Sequence, residues 1–250
     1  MRTDFRAERK ALPSAVLPRG PVPAFWACVS VGAAAILLTA NSVVGFGADL
    51  SSFLPVLIAY LGAAAVAAHG VQACYPHNKL GLCNIVTFAR MVIVACLAVA
   101  MLEARPPDAV LLGLAVLSLC LDGVDGWLAR RQGLVSDFGA RFDVEVDAGF
   151  ALTLALYAAV TGVAGPYVVL LGLPYYAFTL ARQVWPWLGA PLPERFARKA
   201  VCVAQIAVLI AILVPGIPGA LLTVAILAVI AALLWSFTRD ILWLSRRRAS

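Results

Sequence analysis

Apolar residues in this chain neither alternate along strands nor recur on one face of an otherwise polar helix. They run together in blocks of about 18 to 24 residues, broken by short stretches rich in Pro, Gly or charge. A block of that length spans the hydrocarbon core of a bilayer as a helix. Lipid offers backbone groups no partner, and no alternating barrel pattern is present, so helices are the expected spanning elements. The pattern predicts eight of them, at about 24–45, 52–72, 83–102, 109–130, 139–161, 166–184, 200–214 and 219–238. The breaks between them read "GFGADLSS", "YPHNKLG", "EARPPD", "TGVAGP" and "PGIPG". The longest, "RQVWPWLGAPLPERFARK", is Pro-rich and is expected along the membrane interface.

Composition agrees with an all-α integral membrane protein. Hydrophobic residues make up 63% of the chain and charged residues 13%, with a mean hydropathy of +0.94, outside the range of soluble domains. Charge adds an orientation. Of 19 Lys and Arg, sixteen fall on alternate loops and the two termini, Arg105 stands alone on the opposite side, and Arg90 and Arg141 sit inside predicted helices. The positive-inside bias then places both termini, and the loop near residue 135, in the cytoplasm, as in a bacterial inner membrane. The net charge of +6 forms a band at the membrane edge, which suits anionic headgroups and excludes nucleic acid as the expected partner. The first apolar run is longer than a signal-peptide core and is expected to be an anchor. Cys28, Cys74, Cys83, Cys96, Cys120 and Cys202 show no CxxC spacing and read as small hydrophobes of a helix bundle. The Trp residues near predicted cytoplasmic ends read as interfacial anchors, and His69 and His77 as interfacial polar residues.

One stretch departs from this pattern. "LDGVDGWLARRQGLVSDFGARFDVEVD", residues 121–147, holds six of the 13 acidic residues. Asp122, Asp125, Gly126 and Ala129 have i, i+3, i+4 and i+7 spacing and share one helix face; Gly139, Asp143 and Asp147 share another. The two helices are joined as a hairpin, so four carboxylates converge a few turns below the cytoplasmic surface. Each Asp at the bilayer centre costs on the order of 2.5–3.5 kcal/mol, and clustering adds repulsion. Protonation or bound cations would relieve it. All-oxygen ligands favour hard divalent ions, and two ions about 3.5–4 Å apart suit phosphoryl transfer. Gly126 and Ala129 leave a slot beside the carboxylates. Asp137 reads as a loop residue and Glu145 as a partner of Arg141 at i−4.

The pattern Asp122-x2-Asp125-Gly126-x2-Ala129-Arg130-x8-Gly139-x3-Asp143-x3-Asp147 resembles the signature of the CDP-alcohol phosphotransferase (CDP-alcohol phosphatidyltransferase) family, at every defining position. The resemblance implies a core of six transmembrane helices with the signature on the second and third. Here that core would be residues 81–238, preceded by a basic segment 1–23 and two extra helices in 24–80, and followed by a basic tail 239–250. "NIVTFAR" resembles the opening core helix of some members and implies substrate or acceptor contacts at Asn84, Thr87 and Arg90. "RKAVCVAQ" keeps Lys199 and Gln205 of a further family pattern, with Arg198 and Cys202 as departures from it; Arg198 and Lys199 are the implied acceptor contacts.

The resemblance further implies transfer of a substituted phosphoryl group from a CDP-alcohol, commonly CDP-diacylglycerol, to a small acceptor alcohol with release of CMP, as in phospholipid biosynthesis. Asp122, Asp125, Asp143 and Asp147 would hold two Mg²⁺ or Mn²⁺ ions, and Asp147 would be the general base. Asp122, Gly126, Ala129, Arg130 and Gly139 would meet the nucleotide and diphosphate. Family members are often dimers, which makes a homodimer the implied assembly. The opposing expectation is an ion-coupled transporter using the carboxylates as a cation or proton site. It predicts acidic residues along a path to the far side and repeated halves, and the sequence shows neither. An intramembrane prenyltransferase would need a second acidic hairpin.

Overall fold

A computed structural model describes residues 20–39, 49–190, 193 and 195–249 of the chain, with side chains to residue 246. The basic segment expected at 1–23 lies mostly outside the described residues, as do the end of the first predicted span and Glu194. The elements are α1 (Pro21–Leu38), α2 (Leu50–Cys74), α3 (Gly81–Leu102), α4 (Ala109–Gln132), α5 (Asp137–Val160), a 3-10 helix (Pro166–Leu171), α6 (Pro174–Val184), a 3-10 turn (Pro186–Gly189), α7 (Phe196–Ala211) and α8 (Gly219–Ala249). No strand occurs among the described residues. Five helices, α1 to α4 and α8, are by themselves long and apolar enough to cross a membrane, and the chain is a multi-pass integral membrane protein.

The remaining spans differ for physical reasons. The carboxylates of α5 lower its hydropathy. The predicted span 166–184 is two pieces, because the 3-10 helix ends at Gly172 and Pro174 starts α6. Proline has no N–H to continue the earlier ladder but fits a helix start. The backbone from Arg239 onward continues α8 as far as Ala249.

α3 is the central element, packed on α4 and α5 on one side and on α1 and α2 on the other. Between helices in lipid the hydrophobic effect is weak, and close packing through small residues takes its place. Ala95 and Ala100 of α3 and Ala148, Ala151, Ala155 and Ala158 of α5 are all buried, which lets these backbones approach. Leu97, Leu154, Leu171, Leu213 and Ile226 fill the core between α3, α5, the 3-10 helix, α7 and α8. On the other side, Phe25 of α1 meets Phe88 edge-on with ring centroids 4.6 Å apart. Phe88 meets Phe142 at 5.0 Å, so the two N-terminal helices are fastened to the back of the acidic hairpin.

Candidate active site

The hairpin is built by local rules. Asp108 caps α4 by accepting from the Leu111 N–H at 2.9 Å. At the other end Gly133 takes φ +63°, and the Leu134 N–H closes on the Ala129 carbonyl at 3.1 Å. A left-handed residue at this position ends a helix and favours glycine. Ser136 caps α5, its Oγ accepting from the Gly139 N–H at 3.1 Å. Gly81, φ +75°, opens α3 where a Cβ would stand 2.5 Å from Leu134; the α3 entry is therefore fitted against the hairpin loop.

This frame brings together all four aspartates. Asp122, Asp143 and Asp147 each offer a carboxylate oxygen within 4.8 Å of the others, and their side chains are 38%, 35% and 46% exposed. Asp125 is set deeper and buried, outside that group of three, and accepts from Thr87 Oγ1 at 3.0 Å. Between the four lies Arg90 of α3, 1% exposed. Its Nη1 pairs with Asp125 at 3.0 Å and Asp143 at 2.5 Å, and its Nη2 with Asp122 at 3.0 Å and with Asp147. Its Nε, also buried, has no hydrogen-bond partner.

The residues fit a metal site. The donors are carboxylate oxygens, the set that hard divalent ions select, and the space among them already accommodates one cationic group. Gly126 lies beside them with only the Arg130 guanidinium near the position of a Cβ, its Nη1 at 3.5 Å and its Nη2 at 4.0 Å, and Arg130 itself is exposed. Next to Asp122 and Asp147 opens a cavity of about 220 Å³, lined also by Arg90, Tyr175, Cys202 and Gln205.

The other expected contact residues have partners of their own. Asn84 is buried and spent on structure, its Nδ2 donating to the Leu80 carbonyl at 2.5 Å and to Tyr75 Oη at 3.2 Å. A Cβ on Gly139 would stand 3.2 Å from Ser136 Oγ and 3.4 Å from Asn84 Oδ1. Arg198 pairs with Asp240 of α8 at 3.3 Å and donates to the Pro193 carbonyl at 3.1 Å, and Arg195 reaches the same carboxylate at 3.9 Å. Lys199 sits in the first turn of α7. Glu145 does not take Arg141 as its partner; it accepts from Tyr175 Oη at 2.5 Å. Sequence reasoning missed Tyr175 and Asp240. Asp240 had a signal, a lone acid just past the last apolar run among basic residues; Tyr175 had none.

No curated protein and no solved structure matches this chain. A family model described as CDP-alcohol phosphatidyltransferase matches residues 80–237. That range runs from the opening of α3 nearly to Asp240 on α8 and encloses the acidic hairpin, Arg90 and the cavity beside Asp147. The chain belongs to the CDP-alcohol phosphatidyltransferase family.

Proposed function

We propose that the protein moves a phosphatidyl-type group from CDP-diacylglycerol to a small alcohol, releasing CMP, on the cytoplasmic side of the membrane. The observation that carries this reading is the convergence of the signature carboxylates between α4 and α5. Asp122, Asp125, Asp143 and Asp147 are the residues that would hold Mg²⁺ or Mn²⁺, two ions being the number four carboxylates suit. When bound, such ions neutralise the diphosphate and stabilise the CMP leaving group.

The remaining steps belong to the protein. Gly126 and Ala129 admit the nucleotide close to the α4 backbone, and Arg130 at the helix end balances phosphate charge. The acceptor occupies the cavity beside Asp147, whose carboxylate takes the proton from the attacking hydroxyl. A bond forms between that oxygen and the phosphorus bearing the lipid alcohol. The bond from this phosphorus to the bridging oxygen breaks, and CMP departs with the electron pair. A lipid donor is supported by a second, apolar cavity of about 560 Å³ between α6 and α8, lined by Leu173, Phe178, Trp185 and Phe237. It lies across α6 from the first, since Leu173 and Pro174 line it while Gly172 and Tyr175 line the other; an acyl chain of the donor is its proposed occupant.

The test is product identification. Protein in nanodiscs receives CDP-diacylglycerol, Mg²⁺ and a panel of neutral, cationic and phosphorylated alcohols, and new lipids are identified by mass. One dominant product names the acceptor. If smaller CDP-alcohols react and CDP-diacylglycerol does not, the lipid-donor reading is wrong.

A further inference from the structure

Arg90 raises a question the reaction leaves open. It is the largest fully buried side chain among the described residues, and both of its terminal nitrogens are spent on carboxylates. Arg90 pairs with one oxygen of each of the four carboxylates that could ligate a metal here, including all three members of the close group Asp122, Asp143 and Asp147. Four carboxylates against one guanidinium leave a surplus of negative charge, so the site still attracts cations. An ion entering it shares those carboxylates with Arg90 and meets its positive charge.

We propose that Arg90 is the resident counter-cation of the metal-free site. It competes with divalent ions for the same carboxylates, sets their affinity lower than the carboxylates alone would give, and holds α3, α4 and α5 together until they arrive. The inference rests on the metal-dependent reading above. Its signature is two effects of opposite sign. Removing the guanidinium raises metal affinity, because like charge leaves the site. The same change destabilises the metal-free protein, because the aspartates lose their internal partner. A residue that merely braces the fold would give the second effect alone, and one that orients the carboxylates for metal would lower affinity.

The experiment titrates Mn²⁺ into full-length protein in nanodiscs, reading free Mn²⁺ by electron paramagnetic resonance. Thermal unfolding is followed in chelator and in Mn²⁺. Wild type is compared with Arg90→Met, of similar length without charge, and Arg90→Lys, which keeps the charge. Arg90→Met is expected to bind Mn²⁺ at least about tenfold tighter, to unfold earlier in chelator, and to gain more from Mn²⁺ than wild type does. Arg90→Lys stays near wild type in affinity. Weaker binding in Arg90→Met, restored in Arg90→Lys, overturns the proposal. So does Arg90→Met that cannot be obtained folded even in Mn²⁺, since the ion should supply the missing charge. Wild type that binds no Mn²⁺ overturns the metal-dependent reading together with this one; wild-type binding with no gain in Arg90→Met overturns this one alone.

Discussion

Gly172 sits at the break between the 3-10 helix and α6, and Gly172→Ala sets two effects against each other. Its φ of −89° and ψ of −20° suit alanine, so the unfolded chain alone would give a gain of about 0.4–1 kcal/mol. Against that, a Cβ there would stand 2.6 Å from Leu152 Cα and 3.2 Å from Ala155 Cβ. Leu152 Cα is backbone and cannot rotate aside, so the broken helix must move off α5 by roughly 1 Å. Such overpacking costs about 1–3 kcal/mol. The clash wins, leaving a net loss of about 1–2 kcal/mol, or roughly 2–8 °C. The displaced segment carries Tyr175, a wall of the cavity beside Asp147, so a raised KM for the acceptor should accompany the loss. Gly113→Ala is the control. Gly113 lies on the exposed face of α4 with nothing within 4 Å of a Cβ, and the change should stabilise by up to about 1 kcal/mol. Thermal unfolding can be read with a thiol dye at buried Cys83 and Cys96 after the exposed Cys74, Cys120 and Cys202 have been blocked. Gly172→Ala as stable as Gly113→Ala would refute the argument that the glycine is required by the close approach to α5.

Tyr157 is buried and donates to the Arg105 carbonyl at 2.6 Å; Tyr157→Phe should lower stability by about 1 kcal/mol in the same assay. Asp108→Ala removes the α4 cap and should also cost about 1 kcal/mol. Burial pushes the Asp108 carboxyl up, but the Leu111 N–H and the Arg105 guanidinium outweigh it and hold the group below its ordinary value. Its contribution is therefore present above the unfolded value and is lost as pH falls from about 4 downward. Wild type should lose more of its unfolding temperature across that range than Asp108→Asn does. Asp143→Asn should weaken Mn²⁺ binding at least tenfold, about what loss of even an outer partner costs a metal site; an unchanged titration would remove Asp143 from the ligand set.

The helices were legible because lipid leaves the backbone few alternatives, so block length and Pro, Gly or charge at the ends suffice. The hairpin was legible from the i, i+3 and i+4 spacing that aligns its carboxylates, while the caps at Gly133 and Ser136 that set its turn came with the structure. The break at Gly172–Pro174 was hidden by apolar residues on both sides, although Pro174 was its visible cause. What the sequence could not show are pairings set by tertiary approach. Arg90 could snorkel or pair, and only the placement of α3 between α4 and α5 lets one guanidinium reach all four aspartates. Glu145 had a plausible local partner in Arg141, and the approach of α6 gave it Tyr175 instead. Asp240 meets Arg195 and Arg198 only because α7 and α8 pack side by side.

The most direct test of the central claim is CMP release from CDP-diacylglycerol by purified protein in nanodiscs. It compares wild type with Asp147→Asn, in Mg²⁺ or Mn²⁺ and in chelator, with the acceptor panel supplied. The account predicts release that needs both the metal and an acceptor and falls by at least about a hundredfold in Asp147→Asn. Release that persists in chelator, or in Asp147→Asn at the wild-type rate, would contradict it.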